Sequence, residues 1–469
     1  MKEKQRRFGL PRSFQLKLGS MKLDCIFALV LTVGVVVGSF ALADSQKKKD
    51  SKQKPVVLKP SKKFTSRAVL PPIGKVSQPT DLKKIKNVIL LIGDGMGPDQ
   101  IKAASCFAYG KPGRLTFQQL PYSGKVSTYA LARRRLFPGK LFKTVTDSAA
   151  AATAIATGRK VFNGVISLEL PGSGKPLKTI LEQAKDASWK TGLVTTCEIT
   201  HATPAGFVAH VKSRNFARRI GVQMLKSKTD ILFGGGCKFM KPQTAKKQGY
   251  RVVENREQMN QIQSLEKPVL GRFGLGHLIY EYHLVKRKSN SDADSKNDAA
   301  KIANQNYKTL PHLSEMTTKA LELLSKDNQS GFFLMIEGGR IDHAGHINSL
   351  KRNIYETLEF DLAVRRVIQW ASKRDDTLVI VTADHETGGL KVEKNNGVGN
   401  WPTVTWQSRG HSNADVFIYA LGIGAEEFTD KMNNTDIPTK IREIIKKHGS
   451  QKAGKAFYDP EYKEPKTDN

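Results

Sequence analysis

The sequence predicts an α/β fold built on a large central, mostly parallel sheet with helices on both faces, and three observations predict it. Short runs of branched apolar residues recur along the chain, and they are apolar on both strand faces rather than alternating with polar residues. Stretches with apolar residues three and four apart stand among them, at 313–324 and 355–370. Several of the apolar runs end abruptly on glycine or on an ionisable residue, at the strand ends where open α/β sheets place their ligands.

Taken in order, the chain opens with a decorated end. Residues 25–43 form an apolar run preceded by Arg6, Arg7, Arg12, Lys17 and Lys22, and Ala41-Leu42-Ala43 has the small-x-small pattern of a signal-peptidase site before polar Asp44-Ser45-Gln46. Residues 1–43 are read as a cleaved export signal, with Met21 as a second start. The alternative is an uncleaved membrane anchor, because the run approaches the ~20 residues that span a bilayer. Either reading puts the body outside the cytoplasm, periplasmic or extracellular. Residues 44–83, rich in Lys, Pro and Ser, suit a flexible tether. The body is expected over 84–448, with an insertion at about 258–308 and a polar basic tail over 449–469.

Within the body, 88–92 is a continuous apolar strand closed by Gly93-Asp94-Gly95. Strands follow at 193–196, at 231–233 before three glycines, and at 332–336 before Glu337. Another at 378–381 runs into Thr382-Ala383-Asp384-His385, and the last is at 416–419. Asp94, Glu337, Asp384 and His385 therefore gather at one sheet edge. A lone Asp before Gly is usually a turn former. Several carboxylates crowded together repel one another unless a cation or proton is shared among them.

Composition narrows the function classes. In 469 residues, 39% hydrophobic and 25% charged supply a large core, while 39 Gly and 20 Pro are ordinary and exclude collagen-like and wholly disordered chains. No heptad run or internal repeat marks a coiled coil or solenoid. The net charge is +33; residues 1–43 hold seven basic and two acidic residues, leaving 69 basic against 41 acidic, or +28, on the rest. The lysines are scattered, with no zinc-finger, RNP-like or basic-zipper pattern, so specific nucleic-acid binding is not expected. Cys25 lies in the signal, and the remaining Cys106, Cys197 and Cys237 cannot make a complete disulfide framework and match no thiolate metal spacing. They read as small buried hydrophobes.

Three further segments carry chemistry. In Glu337-Gly-Gly-Arg-Ile-Asp342-His343-Ala-Gly-His346, a helix beginning near Ile341 puts Asp342 and His346 on one face. With Asp384-His385 and the isolated His411 they make a nitrogen and oxygen donor set that suits zinc at an open, catalytic site. Thr146-Asp147-Ser148 heads an Ala-rich helix, where Asp147 or Ser148 serves as N-cap and where negative charge on an attacking or phosphorylated oxygen is stabilised. In His201-Ala-Thr203, continuing to Arg214, Thr203 offers a hydroxyl to a hard cation and Arg214 a planar fork for phosphate oxygens. Two decoys fall away. Gly172-Ser-Gly-Lys175 is followed by Pro176 where a P-loop needs Ser or Thr, and Gly93-Asp-Gly95-Met-Gly97 has the wrong spacing for a dinucleotide turn.

These segments, in this order over residues 84 to 425, resemble the alkaline phosphatase family. The resemblance implies two zinc ions and one magnesium ion. Asp342, His346 and His411 would hold the first zinc, and Asp94, Asp384 and His385 the second. Asp94 would also reach the magnesium beside Thr203 and Glu337, Ser148 would be the nucleophile forming a phosphoserine, and Arg214 would clamp the phosphoryl oxygens. His201 and His343 would flank the third cation at positions where some members carry Asp and Lys, which weakens magnesium or admits another metal. The implied substrates are small phosphate monoesters, and a homodimer is an expectation from the resemblance alone. Two alternatives accompany this reading: a phosphodiesterase of the same superfamily, and a non-catalytic anion-binding protein. A sulfatase is excluded because Ser148-Ala149-Ala150-Ala151 lacks its x-Pro-x-Arg signature.

Overall fold

The computed structural model describes residues 55–56, 58, 70–80, 83–133, 142–286 and 309–458. The expected signal or anchor at 1–43, most of the tether, the end of the expected insertion and most of the tail lie outside the described residues. Among the described residues no helix is long and apolar enough to cross a membrane.

Ten strands make the main sheet: β1 Asn87–Gly93, β2 Tyr122–Ser127, β3 Lys190–Glu198, β4 Ile231–Gly235, β5 Arg251–Val253, β6 Val269–Phe273, β7 Phe332–Glu337, β8 Thr377–Ala383, β9 Val416–Gly422 and β10 Lys431–Asn433. Their order is β10-β2-β9-β8-β1-β7-β3-β4-β6-β5. All pairs are parallel except those that β9 makes with β8 and β2. Every residue of β1, β7 and β8 is buried, which is why these strands read as unbroken apolar runs.

Helices Pro98–Tyr109, Leu313–Ser325 and Leu350–Ala371 pack with one another, and Ser148–Thr157, Ile180–Asp186 and Asp436–His448 form a second group. The expected helices at 313–324 and 355–370 are thus present, the latter starting earlier. Phe107, Phe117, Phe333 and Phe360 are fully buried in the core, each contributing roughly 1.5–3 kcal/mol of apolar transfer as an upper bound.

Two boundaries differ from the sequence reading. Residues 269–273, inside the expected insertion, form β6 and pair with β4 and β5, because Val269, Leu270 and Phe273 are buried members of the sheet. The compact unit also begins at Pro55, and residues 70–80 run along it. Val76 N–H donates to the Gln119 carbonyl (2.9 Å), and the Gln78 amide donates to the Gly422 carbonyl (2.7 Å). Cys106, Cys197 and Cys237 are buried and free, as expected.

The register sets the site. Ile92 stands opposite both Thr382 and Glu337, Gly93 opposite Ala383, and Thr195 opposite Glu337. The four central strands therefore end level, and whatever follows them converges.

Candidate active site

Two carboxylates leave the sheet first. Asp94 follows β1 and Asp384 follows β8, both without exposed surface. Asp384 Oδ1 accepts from the backbone N–H groups of Gly95 (3.1 Å) and His385 (2.9 Å), while its Oδ2 and both oxygens of Asp94 have no hydrogen-bond partner. The turn depends on Gly95, whose φ is +72° and where a Cβ would stand 2.7 Å from the Asp342 Cα.

Glu337 ends β7. Its Oε2 accepts from the Thr195 hydroxyl at 2.5 Å, and its Oε1 has no partner. Beyond the Gly338-Gly339 turn, helix Arg340–His346 brings Asp342 and His346 onto one face, with His346 Nε2 3.3 Å from Asp342 Oδ2. His411 reaches the same carboxylate from a short strand, its Nε2 3.3 Å from Asp342 Oδ1.

The outer nitrogens fix the tautomers of three imidazoles. His411 Nδ1–H donates to the Thr146 carbonyl (2.8 Å), and His346 Nδ1–H donates to the Arg409 carbonyl (2.5 Å), since a carbonyl only accepts. Thr387 donates its hydroxyl proton to Asp342 Oδ1 (2.5 Å), so its oxygen is the acceptor for His385 Nδ1–H at 3.3 Å. All three Nε2 lone pairs consequently face inward. Those of His346 and His411 stand 3.1 Å apart, and that of His385 lies 3.2 Å from Asp384 Oδ2 and 3.5 Å from Asp94 Oδ1. Converging lone pairs and unpartnered carboxylate oxygens call for cations, not for further hydrogen bonds.

The electrostatics agree. Burial, together with Asp384, Asp342 and Glu337, pushes the Asp94 carboxyl well above its usual range. Burial likewise raises Glu337 to about 7. Burial would raise Asp342 too, but its hydrogen bonds from His346 and His411 outweigh this and hold it well below the usual carboxylate range. His385 is raised because Asp384 overcomes the cost of burial.

Donor atoms fall into three groups, each within 4.8 Å: Asp342, His346 and His411; Asp94, Asp384 and His385; and Asp94, Glu337 and His201. Thr203, fully buried with an unpartnered hydroxyl, joins the last set as a sequence-predicted oxygen donor. The residues present therefore fit three cations, two at nitrogen-containing sets and one at an oxygen-rich set.

Ser148 is the first residue of helix Ser148–Thr157, whose ten residues are all buried. Asp147, the N-cap, accepts from Ala150 N–H at 3.0 Å. Ser148 Oγ lies 3.3 Å from His385 Nε2. The alanine run has a packing reason: Gly206, on helix Ala202–Gly206, lies so close that a Cβ there would come 2.8 Å from the Ala152 Cβ. Small side chains thus let the segments bearing Ser148 and Thr203 approach.

Arg214 is held twice, by Asp147 Oδ2 (Nη1, 3.1 Å) and by His201 Nε2 (Nη2, 3.1 Å). Because Nε2 of His201 accepts from the guanidinium, this imidazole serves the arginine, and burial first and Arg214 second keep it neutral by lowering its pKa well below the ordinary value. His343 is lowered in the same direction by burial and Arg340.

Sequence reasoning missed several participants. His277 places its ring 4.5 Å from that of His343 and 5.5 Å from that of His201, and nothing in Gly274-Leu275-Gly276-His277 marks it. Thr195 and Thr387, which orient Glu337 and Asp342, looked like ordinary strand threonines. The Asp147 grip on Arg214 was hidden behind a capping role.

A family model described as alkaline phosphatase matches residues 85–403. The chain is similar to the alkaline phosphatase of Escherichia coli (strain K12), 37% identical over 338 residues, covering 65% of this chain and 70% of that one. It is also similar to the alkaline phosphatase of Escherichia fergusonii, 34% identical over 406 residues, covering 76% and 84%. Among solved structures, a variant of the alkaline phosphatase of the Antarctic bacterium TAB5 with Mg bound in its M3 site superposes with a TM-score of 0.62 at 32% identity, covering 78% of this chain and 99% of that one.

Proposed function

Because the chain belongs to the alkaline phosphatase family, a family of metal-dependent enzymes that hydrolyse phosphate monoesters, we propose that it does so through a phosphoserine on Ser148, at a site for two zinc ions and one magnesium ion. Asp342, His346 and His411 would hold the first zinc, and Asp94, Asp384 and His385 the second. Asp94, Thr203 and Glu337 would hold the magnesium, with His201 and His343 alongside. When bound, the cations supply positive charge that favours the alkoxide forms of the serine and of the departing alcohol.

The protein's own groups do the rest. Ser148 Oγ attacks phosphorus and the ester oxygen leaves in line on the opposite side, so the P–O bond to the alcohol breaks as the bond to serine forms. Arg214, pre-positioned by Asp147 and His201, donates N–H groups to two of the phosphoryl oxygens. The N-terminus of the buried helix adds its partial positive charge. Water then displaces serine from phosphorus and inorganic phosphate departs. Contacts to the phosphoryl group dominate this arrangement, so many alcohols are accepted, and a monoester offers Arg214 more free oxygens than a diester.

The observation that carries the reading is Ser148 Oγ at 3.3 Å from an inward-facing His385 lone pair, beside the unpartnered oxygens of Asp94. Acid-quenched turnover followed by peptide mass spectrometry tests it: phosphate is expected on Ser148, and its appearance on another residue, or full activity in Ser148→Ala, would overturn the assignment. Export, inferred from residues 25–43, belongs to the same proposal and is checked by N-terminal sequencing of the mature protein.

A further inference from the structure

The parts of the site are unevenly exposed, and this gives the pit a direction. Asp94, Asp384 and His385 have no exposed surface, whereas the His346 side chain is 39% exposed. Ser148 stands beside His385. In-line displacement sends the leaving oxygen to the opposite pole, where His346 and His411 stand and the pit opens.

Resting on the monoesterase reading above, we propose that Ile347 and Arg409 form the seat for the leaving group and favour monoesters whose alcohol carries an apolar surface together with a second negative charge. Ile347 directly follows His346 and closes its helix, and it keeps 43% of its surface in water. A single exposed isoleucine is commonplace; this one is fixed at the rim. Its own N–H and that of Asn348 both donate to the Gly345 carbonyl, and Ser349 N–H returns to the Ala344 carbonyl.

Arg409 is presented by a pinned loop. Gln407 and Ser408 N–H groups donate to the Gly388 carbonyl, each at 3.0 Å, and Gly388 N–H donates to the Gly410 carbonyl at 2.8 Å. The Arg409 carbonyl itself accepts from His346 Nδ1. Its backbone is therefore one hydrogen bond from the exposed imidazole, while its side chain is exposed and makes no ion pair among the described residues. A guanidinium there stays charged at every working pH and offers a planar fork to a carboxylate or second phosphate. Arg214 takes the transferred phosphoryl group, and Arg409 the anion on what leaves.

The test compares phenyl phosphate, 3-carboxyphenyl phosphate and glycerol phosphate as substrates of the metal-replete enzyme. Arg409→Ala is expected to lower kcat/KM for the carboxylated ester about fivefold relative to phenyl phosphate, an effect that shrinks with added salt, as rim charges do. Phenyl phosphate turnover should change less than about twofold, which also shows that the variant is folded. Ile347→Ser should raise KM for both aryl esters and leave glycerol phosphate unchanged. An unchanged ratio between the aryl esters in Arg409→Ala, or equal losses on all three substrates in either variant, would overturn the proposal. Failure of the unaltered enzyme to cleave any of the three would instead remove the monoesterase reading beneath it.

Discussion

Asp147 joins folding to catalysis, so its removal should be felt in both. Its Oδ1 accepts from Ala150 N–H (3.0 Å) and Gly164 N–H (3.0 Å), and its Oδ2 from Gly164 N–H (3.1 Å) and Arg214 Nη1 (3.1 Å). In Asp147→Ala, loss of the cap costs about 1 kcal/mol. Leaving the Gly164 N–H without its acceptor costs about 1–3 kcal/mol more. The ion pair, with side chains 24% and 21% exposed, is screened by solvent and adds at most about 1 kcal/mol. The expected destabilisation is roughly 2–4 kcal/mol. Asp147→Asn keeps an oxygen for the cap and for Gly164, so it should lose at most about 1 kcal/mol. Arg214 then retains only its bond to His201, and competitive inhibition by inorganic phosphate should weaken by about tenfold in both variants, equivalent to about 1.4 kcal/mol. Denaturant unfolding and phosphate inhibition constants are the assays. If Asn destabilises as much as Ala, or if Ala leaves phosphate affinity untouched, the dual role is refuted.

Other consequences are as direct. Gly95→Ala, forced to φ +72° with its Cβ 2.7 Å from the Asp342 backbone, should cost about 1–3 kcal/mol and lower zinc content by elemental analysis. Ser148→Ala should cut turnover of an aryl phosphate by roughly a thousandfold or more with metal content intact. Chelation should lower the thermal midpoint, because Asp94, Asp342, Asp384 and Glu337 are then left facing one another, and calorimetry with and without chelator measures the loss. His210 and Glu182 pair at 2.9 Å; burial opposes both charges, yet the pairing raises His210 and lowers Glu182. Stability from His210 is full below its unfolded pKa of 6.5 and is lost as pH rises through its folded value, while that from Glu182 is full above 4.5 and is lost as pH falls. Glu182→Gln should therefore lose more stability between those two values than at pH ~9, as read by denaturant midpoints.

What could be read in advance follows a physical line. β1, β7 and β8 announce themselves because a strand buried on both faces has no room for polar residues. Lys431–Asn433 and Arg251–Val253 have three residues each and mixed polarity, and only their neighbours make them strands. Asp94, Glu337 and Asp384 were visible as charges where an apolar run stops. Thr195 gave no such sign, since its partner Glu337 is 142 residues away and only strand register brings them opposite. His277 was obscured for the same reason, and because its segment read as an insertion instead of an approach to the sheet.

The helix that begins at Ser148 has no residue at the surface, which affects how the molecule breathes. An element enclosed on all sides cannot open locally, and its amide protons reach water only when the surrounding body comes apart. Deuterium uptake in the interior of that helix is therefore expected to follow global unfolding, whereas loop 407–410, at the other pole, should exchange early. The attacking oxygen is mounted on the slowest part of the protein, and the part that greets the substrate is among the fastest.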